Sequence, residues 1–290
     1  MTTADAVAYA YYPGCSLHST AAEYDASVQA VFAALEVALH ELEDWTCCGA
    51  SSAHVVNHTL ALALPARNLA LAQPAGRDLV MPCAACFNRH KTAAHTLRED
   101  PVEREKIEAA VGFTFTDSVA VRPLLDVVVN EIGLERVAAR VRRPLTGLKV
   151  VDYYGCLLLR PPEITQFDDT EHPALMGKLL RTLGAEVQAW SDATECCGGG
   201  LALTRPKVAA GLVSRLAERA REAGAEAMVT SCPLCQVNLE MRQNGGKPPL
   251  PIFYFTELMG LAFGLPEATS WWKKHLIDPR NVVKGFGIGD

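Results

Sequence analysis

The sequence has no run of lysine or arginine able to follow a phosphate backbone, and its 33 acidic residues outnumber 27 basic ones for a formal net charge of −6. Nucleic acid is therefore not an expected partner. No apolar stretch reaches the roughly 20 residues needed to span a bilayer. The opening MTTADAVAYA also lacks the basic segment and apolar core of an export signal. A cytoplasmic location is expected, with no direct membrane span. Charged residues make up 21% and hydrophobic residues 49% of the 290 positions, which excludes extended disorder as the dominant state. That length suits two compact units, each able to build its own core.

What the chain has in quantity is cysteine: Cys15, Cys47, Cys48, Cys83, Cys86, Cys156, Cys196, Cys197, Cys232 and Cys235. The first five read C-x31-CC-x34-C-x2-C and the second five C-x39-CC-x34-C-x2-C, with none left over. A disulfide framework needs an oxidising compartment and would leave one cysteine unpaired in each half. Structural zinc takes four ligands and explains neither a fifth cysteine nor an adjacent pair. A lone C-x-x-C would suit a thioredoxin-like redox pair, but the duplicated surroundings argue against that. Several thiolates converging without histidine pairs select iron–sulfur clusters. Spacing leaves the cluster type open, because ordinary cubane clusters take four cysteines and each half offers five.

The cysteines punctuate a regular α/β alternation. AVAYAYY precedes Cys15 and LKVVDYY precedes Cys156, each a β-rich run ending at Gly14 or Gly155. Helices are predicted over 21–39 and 173–183, then the vicinal pairs followed by Gly49 and Gly198, then helices over 54–73 and 206–223. The glycines are expected to take positive φ or admit close backbone. Strands in RDLVMPCAAC and EAMVTSCPLC lead into the C-x-x-C motifs, whose cysteines would feel the positive end of the next helix. The segment from Arg122 to Leu134 resembles that from Phe253 to Leu265. The expected fold is α/β: two pseudo-symmetric domains, each a mainly parallel sheet flanked by helices, with ligands at strand carboxyl ends. The expected units are 1–145 and 146–269, with RRPLTG breaking the pattern between them. A tail, 270–290, has no counterpart in the first half and reads either as a strap packed on the second domain or as a docking segment with Trp271, Trp272, Phe286 and Ile288 as anchors for a partner.

The duplicated set, with Cys47-Cys48-Gly49 and Cys196-Cys197-Gly198 at its centre, resembles the cysteine-rich CCG domain found in the B subunit of heterodisulfide reductase. The likeness runs from about Ala8 to Leu265. It implies two noncubane [4Fe-4S] clusters facing each other across a pseudo-twofold axis. Cys15, Cys47, Cys48, Cys83 and Cys86 would hold one, and Cys156, Cys196, Cys197, Cys232 and Cys235 the other. It further implies an oxidoreductase acting on sulfur groups, within a complex that has an iron–sulfur C subunit together with a flavin-containing A subunit. The chain lacks the C-x2-C-x2-C-x3-C-P run of a built-in ferredoxin module, so electrons are expected from another protein.

Two electrons cleave a disulfide, and the direction of a thiol–disulfide couple follows potential, not fold. Two rivals remain. CCG domains also occur in quinone-linked glycerol-3-phosphate, lactate, glycolate and succinate dehydrogenases, where they conduct electrons. Alternatively the cysteines bind zinc or only pack. The longer second spacing places an insertion around Pro161 to Glu171, where Arg160 would meet an anionic substrate or merely sit at the surface. His18, three residues after Cys15, reads as capping or solvent-facing, and His54 with His58 lack a third ligand.

Overall fold

The computed structural model describes residues 7–243 and 248–286. Strands β1 (Ala8–Tyr11), β2 (Ala38–Glu41), β3 (Leu79–Met81) and β4 (Val121–Pro123) form one sheet in the order β2-β1-β3-β4. Strands β5 (Lys149–Tyr153), β6 (Glu186–Val187), β7 (Ala227–Thr230) and β8 (Ile252–Tyr254) repeat it as β6-β5-β7-β8. Every pairing is parallel. Helices cover the faces, so β3, β7 and β8 are buried throughout and read as unbroken apolar runs. In each sheet the order reverses beside the first strand, between β1 and β3 and between β5 and β7. Open parallel sheets bind ligands at such switch points, and these two receive the cysteines.

The edge strands differ from the sequence expectation. The helix predicted over 21–39 ends at Ala34, and Val37 onward turns into β2. Glu36 causes the break, with φ of 55° in the left-handed region. In the second half Gly184, with φ of 93°, follows the helix Leu175–Thr182 and admits β6. The helix predicted over 54–73 is two pieces, Ala53–Val56 and His58–Ala72. Asn57 separates them with extended backbone, and its side chain caps the second piece by accepting from Leu60 N at 2.8 Å.

The two sheets share a core. The helix Ala22–Ala34 of the first half lies against Phe255–Phe263 of the second, and both belong to one buried cluster with Val28, Phe32, Leu258 and Leu261. Ser27 and Thr256 hydroxyls meet there at 2.6 Å. The backbone amides of Arg142 and Arg143 both donate to Ala262 O at 2.9 Å, tying the middle of the chain to its last long helix.

Trp271 and Trp272, the candidate anchors of the tail, are 5% and 3% exposed. Trp271 fills the space over Gly260, where an added Cβ would lie 2.5 Å from the indole, and Trp272 meets Phe253 edge-on. Ile288 lies outside the described residues. Further along this strap His275 is buried between two carboxylates, Glu257 Oε1 at 3.0 Å and Glu240 Oε1 at 3.1 Å.

Candidate metal centres

Cys15, Cys83, Cys156 and Cys232 follow strand ends within a few residues, and the vicinal pairs lie in the loops beyond β2 and β6. Pro13-Gly14 turns the chain after β1 and Gly155 does so after β5, with φ of 74° and 66°. An added Cβ would lie 3.2 Å from Cys86 Sγ at Gly14 and 3.5 Å from Cys235 Sγ at Gly155. A side chain at either place would intrude on the space beside the sulfurs. Gly49 and Gly198 follow the vicinal pairs with φ of 73° and 75°. A Cβ there would approach Ala53 Cβ to 2.7 Å and Leu212 Cδ1 to 2.9 Å. Positive φ and close approach both apply. Cys83 and Cys232 stand at the N-caps of Ala84–Glu99 and Pro233–Met241, and Cys86 and Cys235 in their first turns. The helix end favours thiolate there, but bonding to neighbouring sulfurs and burial push Cys83, Cys86 and Cys235 up, and of these four Cys232 alone is lowered.

The sulfurs form the same contacts in both halves. Cys48 Sγ meets Cys86 Sγ at 3.2 Å, and Cys197 Sγ meets Cys235 Sγ at 3.5 Å. Cys15 bonds Cys47 as Cys156 bonds Cys196, the latter at 3.8 Å. Cys83 touches Cys86, Cys232 touches Cys235, and Cys83 touches Cys232 across the two halves. These contacts run Cys48, Cys86, Cys83, Cys232, Cys235 and Cys197 into one chain across the two halves, with Cys15/Cys47 and Cys156/Cys196 as a pair at either side. Among the described residues no three His, Cys, Asp or Glu side chains converge as ligands of one ion. All five second-half cysteines line a cavity of about 50 Å³, to which Ala84 and Ala85 of the first half contribute. Cys15, Cys47 and Cys196 are exposed, whereas Cys48, Cys83, Cys86, Cys197 and Cys232 are buried.

Thiol donation polarises these pairs. The Cys15 thiol donates to Cys47, and Gly49 N–H points at Cys47 Sγ from 3.5 Å, so Cys47 is held well below the usual thiol range while Cys15 is pushed up. Cys196, bonded by Cys156 and by Gly198 N–H at 3.3 Å, is lowered to about 6. Soft, ionisable sulfurs in shallow glycine-walled pockets suit iron–sulfur clusters.

Sequence reading missed the polar groups behind the sulfurs. Tyr12 and Tyr153 each stand three residues before the first cysteine of their half. Their hydroxyls donate to Thr46 O at 2.8 Å and Glu195 O at 2.7 Å, the carbonyls immediately before the vicinal pairs. Burial and the neighbouring sulfurs raise both phenols far above their ordinary value, so they stay donors. Asn68 accepts from Thr46 N at 2.8 Å and donates to Thr46 O at 2.9 Å. His90, lowered to about 4 by burial, is neutral. Its Nδ1 donates to Cys86 O at 2.8 Å, which leaves Nε2 to accept from Asn68 Nδ2 at 3.1 Å. Asn238 donates to Cys197 O at 2.7 Å.

Arg160 does not face the sulfurs. Its guanidinium donates to Thr194 O at 3.2 Å and Thr170 O at 3.3 Å and pairs with Glu171 at 2.9 Å, closing the insertion onto the loop before Cys196. His18 pairs with Glu41 at 3.1 Å.

Twin cysteine quintets at the switch points of two parallel sheets define a duplicated cysteine-rich α/β protein. The chain belongs to the cysteine-rich (CCG) domain family, whose profile matches residues 9–89 and 150–240. It is 30% identical over 279 residues to the 8-methylmenaquinol:fumarate reductase membrane anchor subunit of Wolinella succinogenes, covering 93% of this chain and 97% of that one. A protein of Archaeoglobus profundus described as like the B subunit of heterodisulfide reductase is 27% identical, covering 89% and 91%. The B subunit of the ferredoxin/F420H2-dependent CoB–CoM heterodisulfide reductase of Methanosarcina acetivorans is 28% identical, covering 79% and 80%. A hypothetical protein from Helicobacter pylori shares the fold, with a TM-score of 0.72 at 10% identity over 95% of this chain, which spans 53% of that longer one.

Proposed function

We propose that this chain is the catalytic B subunit of a heterodisulfide reductase-like complex, reducing or forming a disulfide at two facing noncubane [4Fe-4S] clusters. Cys15, Cys47, Cys48, Cys83 and Cys86 would hold the first, and Cys156, Cys196, Cys197, Cys232 and Cys235 the second. The observation that carries the reading is the contact between Cys83 and Cys232, which sets the two quintets side by side. A disulfide between them takes up two electrons and two protons as its S–S bond breaks to give two thiols. When bound, the clusters would supply those electrons singly and offer iron to each departing sulfur.

The chain's own residues prepare the place. The exposed pair Cys15/Cys47 and its counterpart Cys156/Cys196 open each pocket outward. Tyr12 and Tyr153 hold the vicinal pairs by the preceding carbonyl, and the buried C-x-x-C loops set the distance between halves. Electrons would arrive from an iron–sulfur C subunit, fed in turn by a flavin-containing A subunit. Among the described residues no helix is long and apolar enough to cross a membrane, and a cytoplasmic location fits this reading.

The experiment is anaerobic purification with iron and acid-labile sulfide analysis, then electron paramagnetic resonance of oxidised protein with candidate thiols. Iron in both pockets and a thiol-dependent signal are expected. Zinc without iron, or no signal with any physiological thiol, would overturn the reading. A second reading, electron transfer in a quinone-linked dehydrogenase, draws support from the 30% identity to the Wolinella fumarate reductase protein. Turnover with quinone analogues and none with disulfides would select it.

A further inference from the structure

Resting on the reading that each quintet holds a cluster, we infer that Asn238 is a positioning residue that makes the second cluster the higher in reduction potential. The two pockets correspond residue by residue, because both carry the same CC-x34-C-x2-C spacing. Counting on from the last cysteine of each half, Asn238 stands three residues after Cys235 and Arg89 three after Cys86. Asn238 is 1% exposed and its amide donates to Cys197 O at 2.7 Å. That carbonyl belongs to the Cys197–Gly198 peptide, whose N–H donates to Cys196 Sγ at 3.3 Å. Donation to one end of a peptide strengthens the donor at its other end. Asn238 therefore reinforces the amide that faces a ligand sulfur.

In the first half the same amide, Gly49 N–H, lies farther from its sulfur, 3.5 Å from Cys47. Arg89 does not serve its peptide: its Nε is buried without a hydrogen-bond partner. The polar pair that the first half does have acts elsewhere: Asn68 serves Thr46, whose carbonyl lies two peptides earlier, and His90 serves Cys86 O. Their counterparts by spacing are Ala217 and Leu239, both buried. Asn68 and His90 thus fix the entry to the first vicinal pair without reaching the amide that bonds sulfur.

Hydrogen bonds to ligand sulfur stabilise the more negative, reduced state of a cluster and raise its potential. One-electron reduction of the holoprotein therefore fills the second pocket before the first.

The test is a mediated redox titration of anaerobic holoprotein followed by electron paramagnetic resonance, after iron has been counted. Wild type is expected to show two separate midpoint potentials. Asn238→Leu should lower the upper one and leave the lower in place, and Arg89→Asn, which puts the amide into the first half, should raise the lower one. A single merged potential in wild type overturns the inference, as does an Asn238→Leu protein in which neither potential moves, both move together, or only the lower moves. If Asn238→Leu loses iron, Arg89→Asn decides: a raised lower potential supports the assignment and an unchanged one overturns it. Wild-type protein without iron would instead defeat the cluster reading itself.

Discussion

Tyr24 and Tyr254 lie face to face, ring centroids 3.9 Å apart and planes within 3°. Each comes from a different half, and both are fully buried. The Tyr24 hydroxyl stands 3.1 Å from Ser231 O and 3.3 Å from Pro82 O. Those carbonyls immediately precede Cys232 and Cys83, so one phenol braces both C-x-x-C loops where the halves meet.

Tyr24→Phe keeps the stack and removes the brace. Two buried carbonyls lose their shared donor, which should lower stability by about 1–3 kcal/mol. Chemical denaturation measures the loss. Tyr24→Ala should cost more, about 3–5 kcal/mol, because a large cavity opens between the halves.

Gly49→Ala and Gly198→Ala force a side chain into left-handed backbone, at roughly 1–2 kcal/mol, and also drive its Cβ into Ala53 or Leu212. The vicinal pair must shift. Each variant should lose iron from its own half only, so that iron per chain falls by about half and by much more in the double variant.

His275 gives the strap a pH dependence. Burial by itself would lower its pKa, but Glu257 and Glu240 on either side outweigh that and raise it to about 10, above the ordinary 6.5. Glu23 and Lys274 are the other charged groups coupled to this cluster, and burial raises the Glu23 carboxyl. A raised folded-state pKa adds stability that is complete below pH 6.5 and fades as pH climbs through about 10. Melting temperature should fall across that interval in wild type. His275→Leu should flatten the slope and cost on the order of 3–5 kcal/mol at neutral pH, since two carboxylates lose their buried counter-charge.

Asn88→Leu tests the seam between the halves. Its amide donates to Leu157 O at 3.1 Å and Arg160 O at 2.8 Å in the second half. Leaving both carbonyls unserved should cost about 1–3 kcal/mol, and faster hydrogen exchange at the insertion should accompany the loss.

Cysteine spacing marked the repeat, the β-rich runs before the cysteines marked the strand ends, and glycine marked the turns after each vicinal pair, because positive φ tolerates few substitutes. The edge strands β2 and β6 were hidden. Each is short and follows a helix directly, so its residues continue the helical text until Glu36 or Gly184 breaks the backbone. Tyr24 was out of reach because its carbonyl partners lie in other segments, one of them in the opposite half. Asn238 and Arg89 were closer to hand: sliding the halves into cysteine register sets them opposite each other. Trp271 and Trp272 left strap and docking segment both open, because a tail with no counterpart in the repeat gives no sign of the face it covers.

The bond from Arg142 and Arg143 to Ala262 O has a bearing on maturation. A nascent chain that has emerged only as far as Gly147 has no acceptor for those amides, no Phe255–Phe263 helix to cover Val28 and Phe32, and no Cys232 against Cys83. Its first pocket has one wall missing. On the cluster reading, the amino-terminal half would take up its metal only after the carboxyl-terminal half had been made, and a ribosome stalled at the midpoint would display thiols with no finished cage around them.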